Sequence, residues 1–158
     1  MNLLFVAQTG VFEALTVGLS YLDKEEELET ISAFGNIEKE KTGELIYLGK
    51  NRYGNDVYCV GNKNPDIVVR INQEIKHIVK KIDSPLKAVP VSVKGNEYIY
   101  ILSRLAMLPL VGSLFITIAK SSTLKIKNEL INAGKSFQEN AETTAAAKPL
   151  KSKFSTSE

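Results

Sequence analysis

The sequence is poor in the residues that most often carry catalysis, metal binding and cross-linking. Its 158 residues include one cysteine, Cys59, one histidine, His77, and no tryptophan. A single cysteine excludes an intramolecular disulfide and a cysteine-based metal cage. A histidine-based metal site, a Cys-His pair or a Ser-His-Asp triad would each need distant residues to converge. We therefore expect no metal and no cofactor.

The two scarce residues have ordinary structural explanations. Cys59 lies in an apolar run, residues 57–60, which predicts a buried and unreactive thiol, because a reactive thiolate needs a polar, electropositive setting. His77 lies within a helical pattern and is expected on the surface.

Long hydrophobic runs are also scarce, with one exception at residues 98–119. Arg104 is the only charge in that stretch, and its uncharged part, residues 105–119, is short for a bilayer span and contains Pro109. A buried core element, or two short helices meeting at the proline, is therefore favoured over membrane association. No basic segment followed by a cleavage site begins the chain, so we expect a cytoplasmic protein.

The net charge of +2 hides an asymmetry along the chain. Residues 1–48 carry nine acidic side chains and three lysines, which gives −6, and residues 49–158 carry seventeen basic and nine acidic side chains, which gives +8. The basic residues are scattered and are not interleaved with aromatic residues, so we expect no nucleic-acid binding. The two oppositely charged surfaces could attract each other weakly, or the polarity could steer an acidic partner.

The length and composition indicate one domain. A hydrophobic share of 44% and a charged share of 24% are those of an ordinary globular protein. From about Ser136 the chain turns to Glu, Thr, Ala, Lys and Ser, a composition that buries little apolar surface. We predict a single domain over residues 1–135 and a disordered tail over residues 136–158.

The hydrophobic pattern predicts an α/β fold. Residues 2–7 form a continuous apolar run typical of a buried parallel strand, and residues 11–22 carry apolar side chains at helical spacing, so the chain begins with a strand-turn-helix unit. Residues 45–48 and 57–60 are β-favouring runs around a turn-rich loop, which predicts a β-hairpin. The fold class is a small mixed sheet of about four strands flanked by helices.

The remaining elements are mostly helical. Asn64, Pro65 and Asp66 are typical of a helix start, and isoleucines at 67, 71, 75, 78 and 82 mark one face of a helix that reaches Lys81. Alternating valines predict a strand at residues 89–93, which Pro90 confines to a sheet edge or to an irregular stretch. Other helices are predicted over residues 25–34, 96–108, 110–120 and 123–133, the last ended by Gly134.

The turn after the first strand is the leading candidate site. Ligands gather at the carboxyl ends of parallel strands, where a helix N-terminus offers free N–H groups to an anion, and Gln8, Thr9 and Gly10 occupy that place. The turn has neither the lysine of a nucleotide P-loop nor a Gly-x-Gly-x-x-Gly pattern. The structural alternative is that Thr9 caps the helix and Gly10 makes a tight turn.

Two arginines complete the list of candidates for binding a small anionic ligand. Arg52, in the hairpin loop, could clamp a phosphate or a carboxylate. Arg104 is isolated in apolar sequence, and if buried it must pair with an anion or with carbonyl groups, or face a pocket.

The chain resembles a family of short proteins described as a domain of unknown function, DUF3189. The resemblance rests on the order of the first strand, turn and helix, on the Tyr-Gly-Asn-Asp-Val-Tyr-Cys-Val-Gly segment at residues 53–61, and on residues 102–110. It implies an origin in endospore-forming bacteria and a Gly-rich turn with His and Ser after the first strand. Residues 8–12 of this chain lack those groups, so the resemblance supports the fold more than any activity.

Two hypotheses of function follow. The poverty of histidine, cysteine and paired acids favours a non-catalytic binding or regulatory protein that acts through a partner or as an oligomer, with an exposed apolar patch at residues 98–115 as its expected sign. The alternative is a small phosphate- or nucleotide-binding enzyme, which requires Thr9, Gly10 and an arginine to converge on one pocket.

Overall fold

A computed structural model describes residues 2–78, 86–93 and 97–146. This part of the chain contains four strands and six α-helices. The strands are β1 (Asn2–Ala7), β2 (Ile46–Lys50), β3 (Asp56–Gly61) and β4 (Leu86–Pro90). The helices are α1 (Leu15–Tyr21), α2 (Ile37–Thr42), α3 (Pro65–Ile78), α4 (Glu97–Leu105), α5 (Gly112–Lys125) and α6 (Lys127–Ala146).

The sheet is mixed, with strand order β2-β3-β1-β4. β1 lies inside the sheet and pairs in parallel with β3 on one side and β4 on the other. β2 pairs antiparallel with β3 and forms the predicted hairpin, with an irregularity between Tyr47 and Gly49. The predicted α/β class, the four-strand mixed sheet, the opening strand and helix, and the hairpin are all confirmed.

The first helix is buried on every side. A π-helical turn, Gly10–Ala14, leads directly into α1, and all residues of both are buried. The segment is apolar around most of its circumference, which is the pattern of a helix covered on all sides. It lies between the sheet and α6, and this arrangement explains why its apolar stripe is wider than that of a surface helix.

The prediction that a helix ends at Gly134 was wrong, since α6 runs through that residue to Ala146. A side chain at Gly134 would meet the Val17 carbonyl and the Ser20 side chain of α1. Ser20 Oγ also donates a hydrogen bond to the Ile131 carbonyl at 3.0 Å. The glycine is therefore required for close packing of α6 on α1, and it does not act as a cap. Residues 147–158 of the predicted tail lie outside the described residues.

The predicted helix over residues 25–34 was also wrong. Only a single 3-10 turn, Glu25–Glu27, forms there, and the α-helix comes later, as α2. Asn36 caps α2 by accepting a hydrogen bond from the Lys39 N–H at 3.2 Å, and Gly43 ends it with a φ of 64°. The signal that sequence reasoning missed is this Asn cap with a glycine seven residues later.

The helix predicted from Pro65 is present as α3, and the predicted strand after it is present as β4, shifted toward the N-terminus. β4 is an edge strand that ends at Pro90, as its proline requires. α3 packs through Val68 and Val69 against Leu4 and the rest of that face. The end of the predicted helix, residues 79–81, lies outside the described residues.

The two faces of the sheet carry cores of very different size. One face holds the main core, built from alternate residues of the strands, α1, α4, α5 and α6. The other face holds a small cluster of Leu4, Val6 and Ala88, to which α3 adds half-buried valines. The sheet therefore lies between a thick helical layer and a single helix.

Residues 98–119 form α4, a turn and most of α5, as predicted, but they are only partly core. Ile99, Leu102, Ala106 and Ala119 are buried, while other apolar residues of the stretch face solvent. In the described ranges, no helix is both long enough and apolar enough to cross a membrane.

Candidate functional site

The turn after β1 is closed by a carboxylate of its own helix. Thr9 has extended backbone geometry and caps the π-helical turn, with its Oγ accepting from the Glu13 N–H at 3.3 Å. In return, Glu13 Oε2 accepts from the Thr9 N–H at 3.0 Å and from the Thr9 hydroxyl at 2.9 Å. Both residues are fully buried. This reciprocal pairing resembles a capping box and is the structural role that the sequence offers as an alternative for Thr9.

A second carboxylate occupies the N–H groups that an anion would use. Glu40, on α2, accepts hydrogen bonds through Oε2 from the Gly10 N–H at 2.8 Å and the Val11 N–H at 3.0 Å. These are the first N–H groups of the helical segment, where the helix dipole also favours negative charge. The place where a phosphate would bind is therefore filled by the protein's own carboxylate.

Two glycines make room for this contact. Gly10 ends the turn after β1 against the backbone of Val60 and Gly61 at the end of β3, so that a side chain at Gly10 would clash with main-chain atoms. A Cβ at Gly61 would lie 2.6 Å from Glu40 Oε1. Gly10 is thus a close-approach glycine, and Gly61 is its counterpart on the neighbouring strand.

Burial dominates the electrostatics of Glu40. Desolvation raises the pKa of its carboxyl above the ordinary value of 4.5, while the hydrogen bonds from Val11 and Gly10 and the positive charge of Arg104 oppose that rise. The negative charge of Glu40 also adds to burial in raising the pKa of the Cys59 thiol. Cys59 is buried, as predicted, and its thiol donates to the Gly10 carbonyl at 3.7 Å.

The other candidate in the turn, Gln8, is half-buried. Its side-chain carbonyl is shielded from solvent and has no hydrogen-bond partner among the described residues. Gln8, Thr9 and Gly10 therefore share one small region at the carboxyl ends of β1 and β3, with the carboxyl groups of Glu13 and Glu40 beside them.

Arg104 is exposed, which corrects the expectation of a buried arginine. Its guanidinium lies over the Tyr100 ring, 5.5 Å from the centroid, and Nε donates to the Tyr100 hydroxyl at 3.2 Å. Stacking on an aromatic face lets an arginine remain in contact with water, so no buried anion is needed. Its charge nevertheless acts on Glu40, and Arg104 is the candidate arginine that the structure associates with the turn.

Arg52 lies at the opposite end of the sheet. It precedes β3, whereas the Thr9 turn follows β1, and the two strands are parallel. The guanidinium of Arg52 lies 5.7 Å from the centroid of the Tyr53 ring, beside a pocket of roughly 100 Å³. Known small-molecule sites are about 300–1,000 Å³, so this pocket is too small for a nucleotide. The pocket is lined by Tyr21, Leu22, Asp23, Lys50, Asn51, Arg52, Tyr53 and Gln138.

The sequence candidates therefore do not form one site. The structure brings Gln8, Thr9 and Gly10 together and places the charge of Arg104 near them, but it separates Arg52 from all four. Throughout the described ranges, no group of three His, Cys, Asp or Glu side chains is arranged to hold a metal ion. His77 belongs to α3, and its side chain lies outside the described part of the chain.

A group of exposed apolar side chains lies on α4, α5 and the turn between them. Six large apolar side chains there are more than two-fifths exposed, and Leu110 is 94% exposed. We call this set the α4–α5 apolar surface. Its members are Tyr98, Ile101, Leu108, Leu110, Val111 and Leu114.

The turn between α4 and α5, which forms the tip of this surface, is held in a fixed shape by hydrogen bonds. The Leu108 N–H donates to the Leu105 carbonyl at 3.1 Å, and the Gly112 N–H donates to the Leu108 carbonyl at 3.0 Å. Gly112 lies so close to the Ala106 carbonyl that any side chain would clash there. The apolar side chains at the tip are therefore presented by an ordered turn.

Sequence reasoning missed Glu40 and anticipated the apolar surface only as one hypothesis. Glu40 lies in a weakly periodic acidic stretch, where nothing local distinguishes it from Glu38, which is exposed. The Asn36 cap could have located α2, but only the tertiary fold shows which glutamate of that helix faces the turn.

Comparison with models of protein families identifies the family of this chain. A family model described as "Protein of unknown function (DUF3189)" matches residues 15–136. No curated protein and no solved structure matches the chain. The matched region includes α2, with Glu40, and the α4–α5 apolar surface, and it begins after the Thr9 turn.

Proposed function

The chain belongs to the DUF3189 family, whose description gives no activity, and we propose that it is a non-catalytic binding protein that docks a protein partner on the α4–α5 apolar surface. The observation that carries this proposal is the exposure of Leu110 on an ordered turn, together with five other exposed apolar side chains of α4, α5 and that turn. Exposed apolar patches of this kind mark sites of interaction more often than they mark the bare surface of a monomer.

The energetics favour a covered surface. Burial of apolar area contributes about 25 cal/mol per Å², so a partner that covers Leu110 and Leu114 gains free energy from surface that water now contacts. Because the turn is already ordered, little conformational entropy is lost on binding. A rigid apolar tip of this kind is suited to insertion into a partner's pocket or to contact with the apolar face of a helix.

The charges around the surface indicate the chemistry of the partner. Arg104 is exposed and follows Ile101 by one helical turn, on the same side of α4. Glu97 is the only acidic residue in α4 and α5, and the chain from residue 49 onward is basic. We therefore propose a partner surface that is apolar at its centre and acidic at its rim.

The test compares three forms of the full-length protein in its native host. The wild type, Leu110→Glu and Leu45→Glu are each purified under mild crosslinking, and co-purifying proteins are quantified. Leu45 is the matched control because it is a half-exposed leucine outside α4 and α5. We expect one protein to co-purify with the wild type and with the control. The amount of it recovered with Leu110→Glu should be at least about tenfold lower, as for a substitution at the centre of an interface. Purified partner and protein should then reproduce the difference by calorimetry.

Two results would contradict the proposal. Equal recovery of every protein with Leu110→Glu and wild type would show that the surface binds no partner. Sedimentation of the wild type, but not of Leu110→Glu, with vesicles of mixed anionic and neutral lipid would assign the surface to membrane association.

A second candidate function is binding of a small anion, such as a phosphate group, at the Thr9 turn. The observation that favours it is that the Gly10 and Val11 N–H groups already bind a carboxylate, so their geometry is suited to an oxyanion. The carboxyl group of Glu40 opposes it, because it already occupies these N–H groups and a phosphate could bind only after Glu40 has left.

A thermal-shift assay with inorganic phosphate tests this candidate. We expect no phosphate-dependent shift for the wild type or for Glu38→Ala, in which an exposed glutamate of the same helix is removed. A ligand at about 100 times its dissociation constant stabilises by about 2.7 kcal/mol, and such a shift in Glu40→Ala alone would support the second candidate.

The proposed place of action is the cytoplasm of an endospore-forming bacterium. The single buried thiol of Cys59 is compatible with a reducing compartment, and the resemblance of the sequence implies the lineage.

A further inference from the structure

Arg104 is an exposed arginine whose side chain is restrained by its own helix and by the turn that follows. Its guanidinium lies over the Tyr100 ring, 5.5 Å from the centroid, and Nε donates to the Tyr100 hydroxyl at 3.2 Å. In addition, Nη1 donates to Met107 Sδ at 3.6 Å. A long side chain normally loses rotamer freedom when it binds a partner, and here neighbouring groups already restrict it. Arg104 is therefore preorganised for a contact at the surface.

The restraint leaves part of the guanidinium available. The hydrogen bonds to Tyr100 and Met107 use Nε and Nη1, and within the described ranges Nη2 donates to no protein group. Among the described residues, no carboxylate forms an ion pair with Arg104. The planar guanidinium binds carboxylates through charge-assisted hydrogen bonds, which are stronger than hydrogen bonds between neutral groups. Arg104 thus offers a donor suited to a carboxylate of another molecule.

This donor lies within the α4–α5 apolar surface. Ile101 precedes Arg104 by one helical turn and is 53% exposed, and residues three apart on a helix are neighbours on its surface. Met107, which accepts from Nη1, belongs to the turn that also contains the exposed Leu108. A group that binds Arg104 is therefore beside exposed apolar side chains of α4 and of the turn.

We propose that Arg104 determines the specificity of the α4–α5 apolar surface by binding the side-chain carboxylate of an aspartate or glutamate that lies beside apolar residues in the partner. This inference rests on the proposed function, because it assigns a recognition chemistry to the partner of the same surface. Contact with the apolar side chains supplies affinity. The carboxylate selects among apolar segments and fixes their register, as charged groups commonly do at interfaces.

The contact requires arginine and not merely positive charge. A lysine would keep the charge, but its ammonium is a point charge on a flexible stem and lacks the planar fork that stacks on a ring while it donates at its edge. A positive rim that acts only through its long-range field would accept either residue. A comparison of arginine with lysine at position 104 therefore separates a specific contact from general attraction.

The first experiment selects short random peptides, displayed on phage, on the folded full-length protein. Peptides that are also retained by Leu110→Glu are discarded, so that the remainder depend on the α4–α5 apolar surface. We expect this remainder to carry apolar residues and an aspartate or glutamate at a fixed spacing from them. The same selection on Arg104→Gln should yield apolar peptides without the acidic residue.

The second experiment measures by calorimetry the affinity of one selected peptide and of its copy in which the acid is replaced by the amide. Arg104→Gln and Arg104→Lys should each weaken binding of the acidic peptide about tenfold, as for an arginine at the centre of an interface. The amide peptide should bind the wild type and both variants equally, which assigns the loss to the pair of groups.

Arg52→Gln is the matched control for both experiments. Arg52 is also exposed, and its guanidinium lies 5.7 Å from the centroid of the Tyr53 ring, but it is outside the α4–α5 apolar surface. This variant should bind the acidic peptide as the wild type does. Circular dichroism and a cooperative melt verify that all variants are folded. Arg104→Lys also keeps the positive charge that acts on Glu40, so a loss in that variant does not arise from the Thr9 turn.

Two results of the calorimetry would overturn the proposal. Equal affinity of the acidic peptide for the wild type and Arg104→Lys would show that only a positive field acts there. An equal loss of the acidic and amide peptides in Arg104→Gln would show that Arg104 acts through the shape of α4 and not through a carboxylate.

The selection distinguishes failure of this inference from failure of the proposed function. If peptides that depend on Leu110 are recovered without an acidic residue, the surface binds a partner and only the role of Arg104 is wrong. If no peptide distinguishes the wild type from Leu110→Glu, the result contradicts the proposed function and this inference together.

Discussion

The helices on the two faces of the sheet carry similar apolar residues, but these residues are buried to very different extents. On the main face, Phe12, Leu15 and Leu19 of the first helical segment are fully buried. On the other face, α3 is seated by two valines and leaves three isoleucines half-exposed. Apolar content alone does not separate the two helices. The difference is that the first is enclosed by the chain itself, while the second has a side left for something else to cover.

The largest effect on the free energy of unfolding is expected on the main face of the sheet, and a residue of the other face provides the comparison. Phe12→Ala should lower the free energy of unfolding by about 3–5 kcal/mol, because it empties a fully buried site and removes an edge contact with Phe34, 5.9 Å between ring centroids. Ile71→Ala should lower it by less than about 1 kcal/mol. Urea unfolding in dilute protein, where association does not contribute, measures both. Equal losses would contradict the contrast between the faces.

The next effect concerns the close packing of α6 on α1. Replacement of a mid-helix glycine by alanine normally stabilises a helix by up to about 1 kcal/mol. Gly134→Ala should instead destabilise the protein by about 1–3 kcal/mol, because the new methyl group meets the Val17 carbonyl. Asn132→Ala, at an exposed position of the same helix, is the control and should be near neutral. A gain in melting temperature for Gly134→Ala would refute the close packing.

A smaller effect is expected where α2 meets the Thr9 turn. Glu40→Ala should cost about 1–3 kcal/mol, because the Gly10 and Val11 N–H groups lose their acceptor inside the protein. Glu40→Gln should cost less, since its amide oxygen can still accept both hydrogen bonds, and Glu38→Ala should have little effect. If Glu40→Ala and Glu38→Ala unfold at the same urea concentration, Glu40 does not anchor the turn.

The smallest effect is a pH dependence. Burial raises the pKa of Glu40 in the folded protein, so its contribution to stability is full below the ordinary glutamate pKa and declines as the pH rises through the raised value. The stability of the wild type relative to Glu40→Gln should therefore fall between weakly acidic and neutral pH. Urea unfolding of the two proteins at several pH values gives this difference, and a constant difference would show that the carboxyl is not perturbed.

Several strands and helices could be predicted from local sequence patterns alone. The run at residues 2–7, the hairpin and the Pro65 start each have a pattern that tertiary contacts did not override. The predictions failed at Gly134 and over residues 25–34, because a glycine required for helix packing has the same sequence signature as a cap, and because Leu28 and Phe34 are buried by tertiary contacts without a helix between them.

The candidate site was less predictable than the fold. The capping role of Thr9 follows from its position before a helix, but the hydrogen bonds from Gly10 and Val11 to Glu40 join residues about thirty positions apart. Likewise, the isoleucine stripe of α3 is visible in the sequence, but only the structure shows that the isoleucines at 67, 71 and 75 are about half exposed.

The position of β1 inside the sheet has a consequence for folding during synthesis. Leu3 pairs with Val57 and Asn2 with Leu86, so β1 is synthesised well before either of its partner strands. The β2–β3 hairpin, in contrast, can form from neighbouring residues. Long-range parallel pairing of this kind slows folding, and the unpaired segment Leu-Leu-Phe-Val-Ala is the kind of short, uncharged β-forming stretch that aggregates. During synthesis, β1 therefore stays without a partner strand until β3 or β4 has emerged.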